Sequence, residues 1–371
     1  MDTPQDHWDK IYTTYTQSVN DDFLKSERLV KIDELVYTDN IENIRNGLTL
    51  MTTIAPEYLC RYLELDGDSV VLRDVGTFSA PLLAERVLVE SVKGESMWLG
   101  LYESGAFDSM HFRSLGDVSI DDLSESEKEF CVRMAKEMVL IPKGEFMMGA
   151  LEGDDEADDN EKPRHKVTLT RDFLLFKYQV TQALWESVMG SNPSTFRGAN
   201  RPVEEVSWFD VVDFCNKLSE LEGLEPAYTI DGRNVTCNWN AKGYRLPTEA
   251  EWEYSARANQ SFLYAGSDNV DEVAWYDDNS GSETHPVGQK KPNGFGLYDM
   301  SGNVREWVWD WYGTYSSQSG IDLVGKESGQ FRVYRGGGWY YNAEGTRVSY
   351  RNYSGPGREN CALGFRPGRT P

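Results

Sequence analysis

The chain has 371 residues, which is long enough for two domains because a single hydrophobic core seldom grows beyond roughly 250 to 300 residues. Hydrophobic residues make up 39% of it and aromatic residues 12%, a composition that excludes a disordered chain. The formal net charge of −24 repels phosphate groups, so neither nucleic acid nor an anionic membrane is expected as a partner.

The five cysteines are odd in number and form no CxxC pair, which favours reduced thiols in a cytoplasmic setting. No apolar run reaches the roughly 18 residues of a transmembrane helix, so no membrane insertion is expected. The opening residues, MDTPQDHWDK, lack the charged and apolar regions of a secretion signal. A surface or secreted location stays open for a chain from which such a signal has been removed.

Residues 1–130 are predicted to form a small α+β domain whose role the sequence does not disclose. Apolar spacing predicts helices over residues 22–36 and 40–50, and short apolar runs predict strands over residues 69–72, 87–89 and 97–101. Its only histidines, His7 and His111, are expected to be structural.

Residues 138–371 are predicted to form the second domain, after a helix that Ser124 and Glu127 cap and that runs to about Lys136. The expected elements that follow are a strand, turn and strand over residues 138–149, strands over 166–170 and 173–178, and helices with N-caps at Thr181 and Ser207. The helix after Ser207 is amphipathic and is predicted to bury Val211, Phe214, Cys215 and Leu218.

An acidic run, residues 152–161, has seven acids in ten residues. A carboxylate cluster can bind a hard cation, but such a loop needs defined ligand spacing and a turn glycine. A solvated acidic loop is the favoured interpretation.

The stretch around which the chain is organised is residues 332–366, here called the display segment. It begins with the glycine triplet 336–338 and ends on the apolar residues 363–365, with tyrosines, asparagines and serine interleaved between them. These residue types are typical of adaptable binding surfaces. The segment lacks a cluster of His, Cys, Asp and Glu, so no catalytic residue is predicted in it. The alternative is that its tyrosines cover a sheet core, although Pro356 and four glycines after Trp339 fit a regular sheet poorly.

Several phrases resemble the formylglycine-generating enzyme (sulfatase-modifying factor) family. They are PVEEVSW at 202–208, YRLPTEAEWEYSAR at 244–257, PNGFGLYDMSGNVREW at 292–307, RGGGW at 335–339 and LGFR at 363–366. The resemblance covers about residues 138–369 in collinear order. It implies an α+β, C-type-lectin-like fold with much irregular structure and a small twisted antiparallel sheet. Thr248 is expected to cap a helix there, with Trp252 facing inward.

The resemblance also bears on metals. Asn303 and Glu306 match family positions that bind calcium, and the alternative is that they satisfy buried backbone groups. Val273 occupies an oxygen-ligand position of a second calcium site. The family's oxidases hold copper with two cysteines five residues apart, and here those positions are Tyr341 and Thr346, so no copper is expected. An iron-dependent relative would need a histidine and carboxylate set that the N-terminal residues do not supply.

Within the family, the chain resembles the variable proteins of diversity-generating retroelements, which display a hypervariable ligand-binding surface. The positions implied as ligand-binding are Trp339, Tyr340, Tyr341, Asn342, Gly345, Tyr350, Asn352, Tyr353, Ser354, Asn360, Cys361 and Ala362. Apart from Trp339, each of these residues is reachable from an asparagine codon by changing adenines alone. Cys361 is interpreted as a small packing residue, with a reactive thiol as the alternative.

The resemblance therefore implies a non-catalytic binder whose ligand is a protein more than a sugar. The alternative is an ordinary family member, an oxidase or oxygenase of the formylglycine-generating type with an altered active site.

Overall fold

The structure is a computed structural model that describes residues 118–371, apart from 124–127, 129, 130 and 134, and the backbone of four strands between residues 63 and 114. The chain divides into two compact units, Met1–Leu115 and Gly116–Pro371. The helices predicted at 22–36 and 40–50, the strands predicted at 87–89 and 97–101, both N-terminal histidines, and the predicted cap at Ser124 and Glu127 lie outside the described residues. Within the part of the chain that is described, no helix is long and apolar enough to cross a membrane.

The first unit contains a four-stranded antiparallel sheet. Its strands, in sheet order, are β1 (Leu63–Asp66), β2 (Ser69–Leu72), β3 (Leu82–Ala84) and β4 (Phe112–Ser114). Strand β2 is the one predicted over residues 69–72, which is confirmed.

The second unit combines many short strands with few helices, as expected for an α+β chain. Its strands are β5 (Met138–Ile141), β6 (Gly144–Met148), β7 (His165–Leu169), β8 (Phe173–Phe176), β9 (Tyr228–Asp231), β10 (Asn234–Cys237), β11 (Arg305–Trp311), β12 (Gly320–Ile321), β13 (Arg332–Arg335), β14 (Arg351–Ser354), β15 (Leu363–Phe365) and β16 (Gly368–Arg369). Its described helices are α1 (Gln182–Met189), α2 (Trp208–Leu221), α3 (Glu249–Arg257) and α4 (Val270–Val273). The strands predicted between residues 138 and 178 are confirmed.

The sheet that carries the display segment has the strand order β14-β13-β11-β15. Strand β11 runs antiparallel to β13 and parallel to β15, so that Arg305 lies opposite Leu363. Two three-stranded sheets, β12-β7-β6 and β16-β8-β5, and the β9–β10 hairpin complete the unit. The two ends of the display segment are thus neighbours of one central strand, although they are far apart in sequence.

The predicted helix caps are present because each has a side-chain oxygen facing the free backbone N–H groups of a first turn. Thr181 accepts from Leu184 N at 3.3 Å, and Ser207 accepts from Asp210 N at 3.3 Å. Thr248 forms a capping box with Glu251, and Trp252 in the same helix is fully buried. The four residues that α2 was predicted to bury are all buried.

Two large hydrophobic clusters of described residues lie in the second unit, beside a small one of Tyr178, Val287 and Tyr298. One large cluster gathers Trp208, Trp307 and Phe365, and the other gathers Trp252 and Leu175. Phe365 comes from the last strand of the display segment, so the end of that segment is anchored in the core.

The acidic run is not simply a solvated loop, and that interpretation is wrong for two of its residues. Asp154 and Glu161 have side chains 4% and 0% exposed, and both pair with Arg347 of the display segment at 2.7 and 2.9 Å. A buried guanidinium needs such partners. Nowhere in the described residues do three or more His, Cys, Asp or Glu side chains form a group that could hold a metal ion.

Candidate functional site

The beginning of the display segment depends on glycine. Gly336 and Gly337 have φ angles of 91° and 69°, in the left-handed region that side chains disfavour. A Cβ at Gly337 would also lie 2.4 Å from the carbonyl oxygen of Gly345. The chain can therefore leave β13 and turn tightly into the tyrosine-rich stretch.

Buried ion pairs hold the segment from below. Arg335 and Arg351 share Glu249, at 2.7 and 2.6 Å, and Arg335 also pairs with Glu253 at 2.6 Å. Burial alone would raise the pKa of Glu253, but Arg257 and Arg335 outweigh it and hold that pKa at about 2. Removing one member of such a network leaves an unpaired buried charge, so the base of the segment is fixed.

Above this base lies a row of aromatic rings. The ring centroids of Trp339 and Tyr340 are 5.1 Å apart, those of Tyr340 and Tyr341 are 4.8 Å apart, and those of Tyr341 and Tyr350 are 6.0 Å apart. Phe196 packs edge-on behind Trp339 at 5.3 Å. Tyr340 is 39% exposed, so the row presents aromatic surface to solvent.

A second aromatic group stands beside the first. Tyr353, also 39% exposed, packs against Tyr312 at 4.0 Å and Phe331 at 5.0 Å. Between the two groups lies an open cavity of about 520 Å³. Its lining consists of Arg305, Phe331, Tyr340, Tyr353, Ser354, Gly355, Arg358, Asn360 and Leu363. The aromatic row and this cavity together are called the tyrosine surface below.

The polar residues predicted for binding lie among these rings or beside them. Asn342 is exposed and accepts a hydrogen bond from Gly345 N at 3.2 Å. Asn352 donates to the Tyr350 hydroxyl at 3.0 Å. Asn360 accepts from Ala362 N at 3.0 Å and lines the cavity. These side chains set the loop conformation and keep part of their surface for solvent.

Three predicted positions contribute less surface. Ala362 is 0% exposed and Gly345 is buried, so neither presents a side chain to a ligand. Cys361 is half-buried, and its carbonyl oxygen accepts from the Trp339 indole at 3.0 Å. Burial raises the pKa of the Cys361 thiol, which disfavours the reactive thiolate and fits a packing residue.

Arg305, which the sequence interpretation did not single out, lies at the centre of the tyrosine surface. Its guanidinium donates to the Tyr341 hydroxyl at 3.1 Å and to the Asn360 side-chain oxygen at 2.5 Å. It thereby connects the two arms of the display segment. The sequence does contain a signal for Arg305 in REWVWDW, residues 305–311. Every second residue after the arginine is a tryptophan, so no acid shares its face of the strand.

The two positions that match calcium ligands are used by the protein itself. The Asn303 side chain accepts from His285 N and donates to His285 O, both at 2.9 Å, as the alternative interpretation expected. Glu306 accepts from Arg366 at 2.8 Å and from the Trp252 indole at 2.7 Å. Both side chains thus have partners within the protein, and calcium binding at Asn303 and Glu306 stays a prediction.

The copper-ligand positions carry hydroxyl side chains. Tyr341 belongs to the aromatic row, and Thr346 is fully buried with its hydroxyl donating to Ala343 O at 2.8 Å. Cu(I) requires soft thiolate ligands, which these residues do not offer.

Comparisons with known proteins agree with the sequence phrases. The model of the sulfatase-modifying factor enzyme 1-like domain matches residues 124–370. Chaperone protein LppX of Paenibacillus barcinonensis is 42% identical over 219 residues, which cover 50% of this chain and 75% of that protein. The formylglycine-generating enzyme of Streptomyces coelicolor is 30% identical over 283 residues, which cover 63% of this chain and 89% of the enzyme. The chain spans only 37% to 49% of the length of some other curated relatives.

Among solved structures, variable protein 1 of Treponema denticola is 37% identical and superposes with a TM-score of 0.59, covering 63% of this chain and 95% of that protein. The predicted α+β, C-type-lectin-like fold of the formylglycine-generating type is confirmed.

Proposed function

The chain belongs to the sulfatase-modifying factor enzyme 1-like domain family, and from this premise we propose that it is a non-catalytic protein that binds a ligand on its tyrosine surface. The observation that carries the proposal is that the display segment combines buried arginines with exposed tyrosines. Arg335 and Arg351 are 0% and 2% exposed and ion-paired, whereas Tyr340 and Tyr353 are each 39% exposed. A fixed base under outward-facing tyrosines is an arrangement suited to binding.

The side chains at the copper-ligand positions support a binder over an oxidase. A tyrosine and a threonine replace the two thiolates on which the oxidase chemistry of the family depends, so a redox function would need another metal site. No cluster suited to one occurs in the described residues.

We further propose that the surface is the diversified region of a retroelement variable protein. The 37% identity to a protein named variable protein 1 supports this assignment. The exposure of the positions reachable from asparagine codons supports it too. Nine of these eleven positions are half-buried or exposed, and two are buried. Substitution at accessible positions leaves the core packing unchanged.

The diversification proposal is tested by sequencing the 3′ end of the gene and its flanking DNA. We expect a near-identical template repeat that differs only at adenines, together with a reverse transcriptase gene. A locus without such a repeat would contradict diversification and would leave a static binding domain.

Binding by the tyrosine surface is tested with Tyr341→Ala and Tyr353→Ala on a partner isolated by affinity capture. Each is expected to weaken binding at least tenfold, about 1.4 kcal/mol, because aromatic side chains at the centre of an interface carry much of its free energy. Ile321→Ala is the matched control, since Ile321 is 68% exposed on a different sheet. Unchanged affinity in both tyrosine variants would remove the surface from the proposal.

A second candidate is a static protein-binding member of the family. It is favoured by the 42% identical relative whose name is chaperone protein LppX. The sequence of the locus separates this candidate from the first, since a static binder needs no template repeat. The enzyme alternative predicts stoichiometric copper or iron in the purified protein, which elemental analysis measures.

A further inference from the structure

Arg305 differs from most of the deeply buried arginines in and beneath the display segment. Among the described residues Arg332, 2% exposed and packed over the rings of Trp208 and Trp311, also has no carboxylate partner, but it does not line the cavity. Arg335, Arg347 and Arg366 each pair with a carboxylate within 2.9 Å. Arg305 is 6% exposed, and in the described residues its guanidinium forms no ion pair. Its hydrogen bonds go instead to a tyrosine hydroxyl, an asparagine side chain and the carbonyl oxygen of Ala362. A buried charge without a counter-ion is energetically costly, so this cation calls for an explanation.

The position of Arg305 offers an explanation for its missing counter-ion, because Arg305 lines the cavity of the tyrosine surface. Arg358 is the other charged residue of that lining, and no acid belongs to it. A concave site with low-dielectric walls concentrates the field of its charges. The cavity is therefore a local cationic site on a chain whose formal net charge is −24.

The surroundings of the guanidinium fix its orientation. It lies 4.6 Å from the ring centroid of Tyr334 and 5.4 Å from those of Tyr340 and Tyr341, distances at which cation–π attraction operates. Each of its two terminal nitrogens carries two N–H groups and makes one hydrogen bond to a side chain. These bonds leave N–H capacity on the guanidinium, and a guanidinium is the side chain whose geometry best matches a carboxylate.

We propose that Arg305 recognises a carboxylate, and that the ligand is a partner protein that inserts an Asp or Glu side chain into this cavity. The proposal rests on the proposed binding function and specifies its ligand. The exposed rings of Tyr340 and Tyr353 flank the cavity and would contact apolar residues beside the inserted acid. An acidic side chain would supply the counter-ion that Arg305 lacks within the described chain.

The test uses a random peptide library displayed on phage and panned against the full chain. Retained peptides are expected to share an Asp or Glu, and changing that residue to Asn or Gln should weaken binding at least tenfold. When the same peptide change is measured on the Arg305→Gln variant, it should alter the affinity less than threefold, because the guanidinium charge that the acid would pair with is gone. Arg305→Lys should restore only part of the affinity, since an ammonium cannot reproduce the planar fork.

Two controls keep the outcomes distinct. Arg233→Gln removes an exposed arginine between β9 and β10 and should leave binding unchanged. If Arg305→Gln does not fold, as circular dichroism would show, Arg305→Lys and the peptide substitutions carry the test. Peptides that need Tyr340 and Tyr353 but no acid would overturn the carboxylate inference and leave the proposed function standing. If the wild-type chain retains no more peptides than a Tyr340→Ala, Tyr353→Ala double variant does, both the carboxylate inference and the proposed function would be overturned.

Discussion

Arginine and tyrosine occupy different depths of the display segment. Arg351 is 2% exposed, whereas Tyr353, two residues later, is 39% exposed. The arginine is held by Glu249 through two hydrogen bonds, at 2.7 and 2.6 Å. Substitutions at the tyrosine change the surface alone, whereas substitutions at the arginine leave a buried carboxylate without its partner. A segment built in this way can vary outwardly while its base stays constant.

One buried acid near that base should make the stability of the protein depend on pH. Burial, and then the charge of Glu249, raises the pKa of Asp310 to about 8. The folded state therefore holds a proton that the unfolded state releases near pH 4. Between these values the folded state binds more protons, so its stability falls as the pH rises, by as much as about 1.4 kcal/mol per pH unit.

Asp310→Asn should remove this slope. The asparagine keeps an acceptor for Glu249 N, which Asp310 binds at 2.7 Å, but it does not titrate. Urea unfolding at pH 5, 6, 7 and 8 measures the free energy of unfolding of both proteins. We expect the wild type to lose stability relative to the variant as the pH rises. Curves that stay parallel would show that Asp310 is ionised in the folded protein across this range.

At the scale of elements, the end of the display segment is fixed by what surrounds β15. Arg366 donates to the carbonyl oxygens of Phe176, Lys177 and Tyr298 and pairs with Glu306. One side chain thus ties the residue after β15 to β8 and β11. The two arms of the segment keep their spacing because both are attached to β11 through its neighbouring strands.

Gly364→Ala should destabilise this attachment. A Cβ at Gly364 would lie 2.4 Å from the carbonyl oxygen of Val203 and 3.0 Å from Cγ2 of Val304. Overpacking of this kind costs about 1 to 3 kcal/mol, so the melting temperature should fall by several degrees. Gly355→Ala is the matched control, since nothing lies within 4 Å of its added Cβ. Equal melting temperatures for the two variants would argue against close packing of β15.

Local elements were predictable from the sequence, and the pairing between distant residues was not. Thr181, Ser207 and Thr248 were recognised as caps because a cap is a relation between residues three positions apart. Arg347 pairs with Asp154, 193 positions away, and no local pattern encodes that distance. Burial comes from tertiary packing, which a local pattern does not show. The acidic run was therefore predicted to be solvated, and Arg305 was not predicted as a site residue. The display segment was proposed as a binding surface from its residue types alone, and that assignment stays a prediction.

For the whole molecule, charge is distributed unevenly. The display segment contains six arginines and two glutamates, while the chain as a whole has a formal net charge of −24. Most of these arginines are neutralised by acids from outside the segment, such as Glu249, Glu161 and Glu306. The remaining surface repels polyanions, and over distances beyond about 8 Å salt screens that repulsion. Under the proposed function, short-range contacts at the tyrosine surface would therefore decide which ligand binds.

The start of the second unit can be tested by truncation. The sequence predicted a domain beginning at residue 138, but Ile120 and Leu123 are 9% and 6% exposed, and Val118 O accepts from Ala199 N at 2.7 Å. Ala135 also belongs to the first hydrophobic cluster. Ile120, Leu123 and Ala135 are therefore buried although they precede residue 138. Each fully buried Leu or Ile side chain stabilises a fold by about 1.5 to 3 kcal/mol.

We expect a fragment of residues 116–371 to unfold cooperatively and a fragment of residues 138–371 to be several kcal/mol less stable, because it loses these buried side chains. Chemical denaturation followed by tryptophan fluorescence compares the two, since all the tryptophans of the core lie after residue 138 in both. Ile120→Ala in the longer fragment isolates the contribution of one side chain and should cost part of the same difference. Identical denaturation midpoints for the two fragments would place the boundary of the folding unit at residue 138.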